Sequence, residues 1–168
     1  MQDNHVPDDA GLAERVEKLA SRLTELGWAL STAESCTGGW IAKCCTDRAG
    51  SSRWFERGFV TYSNEANRDM LGVDEIVLEE AGAVSHEAVM QMASGAQSGA
   101  GSDVAVAVTG IAGPDGGSDE KPVGSVWFAW SIRGSVETEL KQFQGDREAV
   151  RRHTVLHALQ GLIDRLPA

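Results

Sequence analysis

Residues 30–40 read Leu-Ser-Thr-Ala-Glu-Ser-Cys-Thr-Gly-Gly-Trp. Glu34, Ser35, Cys36 and Thr37 stand consecutively and carry a carboxylate, two hydroxyls and a thiol on short side chains. Residues 28–32 read as a short strand and residues 37–45 as the start of a small-residue helix, so these groups fall in a strand-to-helix turn. Such a turn aims unpaired backbone N–H groups and the positive helix end at one point. That point accommodates a phosphate, a carboxylate or the oxyanion of an acyl transfer. Gly38 and Gly39 let a ligand come close to the backbone. The same residue types also make an ordinary helix N-cap, and the turn alone does not separate the two readings.

A second stretch, residues 109–118, reads Thr-Gly-Ile-Ala-Gly-Pro-Asp-Gly-Gly-Ser, with four glycines and one proline in ten residues. It follows the continuous apolar run 103–109, which reads as a fully buried strand. Open α/β sheets place ligands at the carboxyl ends of such strands. Its spacing is neither that of a dinucleotide fingerprint nor that of a Walker loop. A third element is Gly145-Asp-Arg-Glu-Ala-Val-Arg-Arg. Asp146 caps the last helix and leaves Arg147 in its first turn, where a cation opposes the helix dipole, so Arg147 is a candidate anion clamp. Arg151 and Arg152 read as surface charges. The pair Ser51-Ser52, after Gly50, offers hydroxyls to a phosphate or ribose, or simply forms a turn.

Three apparent motifs are set aside. Ser118 to Lys121 spells S-x-x-K, but Pro122 and the glycines before it forbid the helix that this dyad requires. His153 and His157 have the i, i+4 spacing of metal ligands, yet they are expected on the solvated side of a helix whose apolar stripe holds Val155, Leu156, Leu159, Leu162 and Ile163. The five tryptophans are scattered and read as core or interface residues.

The elements that must position these groups follow from periodicity and caps. Residues 1–8 are expected to form a disordered tail, and residues 9–168 a single domain. A first helix carries Leu12, Val16, Leu19, Leu23 and Leu26 on one stripe and stops at Gly27. Strand-like residues 55–62 precede short helices, one capped by Ser63 and ending near Gly72, one over residues 75–80. Ser85 caps a longer helix with Val89, Met92, Ala93 and Ala96 on one face. Residues 124–133 and 136–143 read as an antiparallel hairpin turning at Gly134, and a last helix runs from about Asp146 to Leu166. This order predicts a three-layer α/β/α sandwich around a mixed sheet.

Composition bounds the function. The net charge of −10 disfavours a nucleic-acid partner. No run reaches the roughly 18 apolar residues of a membrane span, and the N-terminus has no secretory pattern. The three cysteines, Cys36, Cys44 and Cys45, are odd in number and clustered, unlike a disulfide framework. A cytoplasmic location is expected.

The segments Thr32-Ala-Glu-Ser-Cys-Thr-Gly-Gly, Gly50-Ser-Ser, Gly58-Phe-Val-Thr-Tyr-Ser-Asn-Glu-Ala, Gly82-Ala-Val-Ser, Thr109-Gly-Ile-Ala-Gly-Pro-Asp-Gly-Gly and Lys121-Pro-Val-Gly together resemble the CinA C-terminal-domain family. The likeness is greatest to its stand-alone bacterial members, the nicotinamide-nucleotide amidases, and runs from about Leu12 to the last helix. It implies an α/β/α sandwich, a homo-oligomer and hydrolysis of the carboxamide of nicotinamide mononucleotide. The implied partner is that small nucleotide, with no metal or other cofactor. Mapped onto this chain, the family's serine nucleophile falls on Ser35, and Tyr62, Ser51 and Ser52 fall in its pocket. Thr37, Gly38, Gly39, Thr109, Gly110 and Gly113 supply oxyanion or substrate contacts, and Arg147 faces the nucleotide.

The family segment usually ends Ser-Asn-Glu-Ala-Lys, with that lysine taken as the base that activates the serine. Here the position is Asn67. Asparagine takes no proton near neutral pH, and general-base help is worth about 10²–10⁴-fold. Two readings remain: an amidase, and a pyridine-nucleotide binding protein that keeps the pocket without turnover. Should Ser35 not be the nucleophile, Cys36 is next, because a helix N-terminus activates a thiol.

Overall fold

The computed structural model describes residues 5–168. The expected tail thus lies in part, residues 1–4, outside the described residues. Nearer the domain, Pro7 is buried, its carbonyl accepts from Arg152, and Asp8 caps α1 (Asp9–Leu26) through the Gly11 amide at 2.8 Å. Gly27 ends α1 in the left-handed conformation, as its sequence signal predicts.

Five strands form one mixed sheet in the order β2-β1-β3-β4-β5. They are β1 (Leu30–Glu34), β2 (Phe55–Val60), β3 (Val104–Gly110), β4 (Ser125–Ile132) and β5 (Ser135–Gln142). β1 runs parallel to β2 and β3, and β3-β4 and β4-β5 are antiparallel. The hairpin turns at Arg133 and Gly134, both at positive φ. α1, α2 (Trp40–Asp47) and α6 (Arg147–Arg165) cover one face. α3 (Asn64–Leu71), α4 (Glu75–Glu80) and α5 (His86–Ala100) cover the other.

The alternation of strand side chains divides the core accordingly. Leu30, Val104, Val106, Val108, Phe128 and Trp130 pack against α1, α2 and α6. Ala33, Ala105, Ala107 and Ala129 pack against α5, where their small side chains let the helix sit close to the sheet. Each large apolar side chain buried in this way contributes about 1.5–3 kcal/mol.

Two expectations shift. β1 begins at Leu30 rather than at residue 28, and α2 begins at Trp40 rather than Thr37, because Gly38 and Gly39 at φ of 60° and 100° leave the right-handed helical region. The histidines of α6 are not on a solvated face. His153 stacks on Phe143 with ring centroids 5.3 Å apart, and His157 packs edge-on to Phe128 at 4.7 Å while bonding Glu139. The aromatic rings of β4 and Phe143 reach round beyond the aliphatic stripe of α6. Burial lowers the His157 pKa, against the Glu139 carboxylate, which raises it.

The position of α3 is set by a backbone contact. A Cβ on Gly95 of α5 would overlap the carbonyl oxygen of Leu71, so the two helices meet with no side chain between them. Gly95→Ala is expected to cost about 1–3 kcal/mol through overpacking, measured as a lower urea midpoint at unchanged slope; an unchanged midpoint would show that α3 moves away freely.

Candidate active site

β1 pairs in register with both neighbours, Glu34 opposite Val60 on one side and Val108 on the other. Two bonds carry this pairing one residue past the strand: the Ser35 amide donates to the Val108 carbonyl at 3.2 Å, and the Thr61 amide to the Glu34 carbonyl at 2.9 Å. Strand alternation then stands Ser35, Thr61 and Thr109 in one row at the carboxyl end of the sheet, on the α5 face with Ala33 and Ala107. The chain leaves β1 for α2 on one face and leaves β2 for α3 on the other. The carboxyl ends of β1 and β2 therefore flank a topological switch point, where α/β sheets bind ligands.

Within this row the hydroxyls differ. Thr109 donates to the Ala83 carbonyl at 2.9 Å. The Thr61 hydroxyl is buried with no partner. Ser35 is half-buried, and its hydroxyl makes no hydrogen bond among the described residues. Asn67 lies on α3, which begins three residues after Thr61. It and Leu71 are the two buried residues of α3, one turn apart, and Leu71 packs in the cluster that contains Ala33. The Asn67 Oδ1 is buried without a partner.

Behind the row, on the opposite face, Glu34 is fully buried and holds the turn. Its carboxyl group accepts from the Thr37 hydroxyl at 2.7 Å and from the amides of Ile41 at 2.8 Å and Ala42 at 3.1 Å. Burial raises its pKa above the ordinary carboxylate value, against these donors and the nearby Gly39 amide, which lower it. The expected oxyanion donors change accordingly. Gly38 donates to the Ser35 carbonyl, Trp40 to the Thr37 carbonyl, and the next two amides of α2, Ile41 and Ala42, to Glu34. The Cys36 and Thr37 amides, which have no backbone acceptor among the described residues, are what the turn has left.

Arg147 joins two other predicted residues into one constellation. Its Nη1 donates to the Gly113 carbonyl and its Nη2 to the Tyr62 oxygen, both at 2.9 Å. The glycine loop, the end of β2 and the start of α6 thereby meet, while Gly110 remains in the sheet opposite Val126. The sequence reading missed Arg151, whose Nε and Nη2 donate to the carbonyls of Cys36 and Thr37 at 3.1 Å. The available signal was its i, i+4 spacing from Arg147, which puts both on one helix face. It missed Thr61 too, whose only mark is its place after a strand.

Other predicted residues lie apart. Ser51 and Ser52 form a single 3-10 turn before β2, at the amino end of the parallel strands and so at the far end of the sheet from Ser35. A cavity of about 420 Å³, lined by Thr37, Gly38, Gly39, Trp40 and Arg151, opens on the α6 side and does not include Ser35. The Cys36 thiol is buried and its pKa is pushed up to about 12 by desolvation, which disfavours the thiolate that a nucleophile needs. Ser118 and Lys121 form a turn and Lys121 Nζ donates to Ala81, so no serine–lysine dyad exists there.

Glu34→Gln tests the support of the turn. The amide keeps one acceptor and presents a donor where another is needed. A loss of about 1–3 kcal/mol in urea unfolding is expected for a buried N–H left unpaired, with kcat falling more than KM changes. Unchanged stability would show that water replaces the carboxylate.

The pattern described as CinA C-terminal domain matches residues 12–166. The chain is 56% identical over 155 residues to the nicotinamide-nucleotide amidohydrolase PncC of Escherichia coli K12, covering 92% of this chain and 94% of that protein. It is also 56% identical over 150 residues to PncC of Enterobacter agglomerans, covering 89% and 92%. The crystal structure of competence damage-inducible protein A from Klebsiella pneumoniae superposes with a TM-score of 0.90 at 43% identity, covering 92% of this chain and 96% of that one. Sequence pattern and sheet topology agree, and the chain belongs to the CinA C-terminal domain family.

Proposed function

We propose that this protein is a nicotinamide-nucleotide amidase of pyridine nucleotide salvage, which converts nicotinamide mononucleotide and water to nicotinic acid mononucleotide and ammonia. The observation that carries the site assignment is the unbonded, half-buried Ser35 hydroxyl at the switch point; the amidohydrolase relatives support the reaction. Ser35 Oγ attacks the carboxamide carbon, and the Cys36 and Thr37 amides face the oxyanion. The C–N bond then breaks, and the amine leaves as ammonia with the proton that Ser35 gives up. Water hydrolyses the resulting ester and frees Ser35 and the acid. Arg147, held by Tyr62 and Gly113, meets the nucleotide phosphate.

Proton removal from Ser35 is the weak step, because Asn67 is no base. Lys43 does not substitute, since it lies on α2 across the sheet and pairs with Asp47 at 2.8 Å. Tyr62, one residue past Thr61, is bonded to Arg147 of α6 and so turned away from the row, which leaves activation to solvent. Ser51 and Ser52 take part only if a second copy brings its own amino end of the sheet to this crevice. Exposed Val60, Tyr62 and Met70, beside the edge strand β2, support such self-association. We place the protein in the cytoplasm, in keeping with its three free cysteines; no helix among the described residues is long and apolar enough to cross a membrane.

Ser35→Ala is expected to abolish ammonia release from nicotinamide mononucleotide while the fold, followed by circular dichroism, is kept. Turnover within a few-fold of the unmodified protein would exclude Ser35, and the buried Cys36 would not explain it. Asn67→Lys places an amine beside Ser35, and a gain of at least about tenfold in ammonia release is expected. Its activity should rise with pH through an apparent pKa well below the free-lysine value of about 10.4, because burial favours the neutral amine. Activity in the lysine variant alone favours the reading as a binding protein that lost its base; no gain at any pH means that the missing amine does not limit the rate.

A further inference from the structure

The unpaired carboxamide of Asn67 has a use beyond the absence of a base. Asn67 is 1% exposed, and its Oδ1 has neither a hydrogen-bond partner nor solvent. A folded protein rarely leaves a buried acceptor unpaired, because desolvation is then uncompensated. Thr61, next to Ser35 in the row, carries a second unpaired buried oxygen, so the site is short of hydrogen-bond partners. Chain order places Asn67 toward the carboxyl end of the sheet, on the face that carries Ser35. Leu71 packs in the cluster with Ala33, and Asn67 lies one helical turn nearer the carboxyl end of the sheet, about 5.4 Å. Ser35 is two residues past Ala33 on the same face, about 6.6 Å in the same direction.

We infer that Asn67 reads the substrate's carboxamide, edge to edge, and makes the site prefer the amide to its acid product. This rests on the reading of the site as a nicotinamide-nucleotide pocket. A primary carboxamide offers one N–H donor and one carbonyl acceptor along its edge, and asparagine offers the complementary pair. The broad two-fold terminal torsion of asparagine lets it present that edge in either sense. The product carboxylate has no donor. It satisfies Nδ2 but sets an anionic oxygen against Oδ1, leaving the buried acceptor unpaired. Sites built to hydrogen-bond a donor reject analogues that lack it. A protonated lysine at this position would donate to both species and attract the carboxylate, so Asn67 inverts the discrimination that an amine would give.

Ser35→Ala removes turnover, so both nucleotides can be titrated into it by calorimetry. The expected result is that nicotinamide mononucleotide binds at least about tenfold tighter than nicotinic acid mononucleotide. In Ser35→Ala/Asn67→Leu, which has no polar edge, that ratio should fall to near one through weaker binding of the amide. Asn67→Asp, as a second variant, keeps an acceptor and should reject the acid further. Inhibition of the unmodified protein by the acid gives an independent measure, and it should be weak. Equal affinities in Ser35→Ala, tighter binding of the acid, or a preference that survives Asn67→Leu each overturn the inference. Binding of neither nucleotide overturns the pocket reading itself and the inference with it, an outcome distinct from equal binding of both.

Discussion

A single carboxyl group ties the last residue of β1 to the first turn of α2. Glu34 is fully buried, yet it takes the Thr37 hydroxyl and the Ile41 and Ala42 amides. Burial works against its charge, and these donors work for it. The geometry of the turn from Ser35 to Gly39 depends on this balance. It also decides where positive potential for a substrate must come from. The amides of α2 face the protein's own carboxyl group, so that helix end is not free for a ligand's phosphate. Cationic side chains from α6 approach the turn and the glycine loop instead: Arg151 reaches the carbonyls of Cys36 and Thr37, and Arg147 reaches Gly113 and Tyr62.

Ser35 is rigid in its backbone and free in its side chain. The Ser35 amide is a rung of the β1-β3 ladder, bonded to Val108, while its hydroxyl is uncommitted among the described residues. A side chain fixed by its backbone but not by its own hydrogen bond is set up for reaction without first breaking a contact. The opposite destinations of the chain after β1 and β2 open the crevice in front of it. α3 closes the crevice from above, held at a fixed distance because Gly95 lets it touch α5 directly.

Much of this was legible in the sequence, for physical reasons that can be named. Ser63, Ser85 and Asp146 cap α3, α5 and α6 as their types and positions foretold, since capping is decided within four residues. The apolar run before Thr109 gave a central strand, and Gly134 gave the hairpin turn. What failed depended on distant partners. The start of α2 was misplaced because Gly38 and Gly39 take positive φ and the group that caps Ile41 is Glu34, seven residues earlier, not a residue at the cap position. His153 and His157 were assigned to solvent because nothing local announces that Phe143 and Phe128 pack beside them. Ser51 and Ser52 were grouped with Ser35 by resemblance, whereas strand direction puts them at the other end of the sheet within one chain.

The fully buried position of Asn67 bears on why an asparagine can occupy a site where an amine is expected. A lysine there must lose its charge or leave it in a desolvated place, and either course costs free energy. Asparagine avoids that cost, since its carboxamide is neutral at every relevant pH. It carries a smaller one instead, an unpaired Oδ1, which a bound carboxamide relieves and a carboxylate does not. The exchange therefore moves the site along a defined axis. Proton transfer from Ser35 becomes harder, while recognition of the uncleaved amide becomes better matched to the wall of the pocket. Binding energy placed on the ground state in this way does not lower the barrier to the chemical step. On the proposed reading, a pocket so arranged holds its substrate well, releases its product readily, and is limited by the first proton transfer.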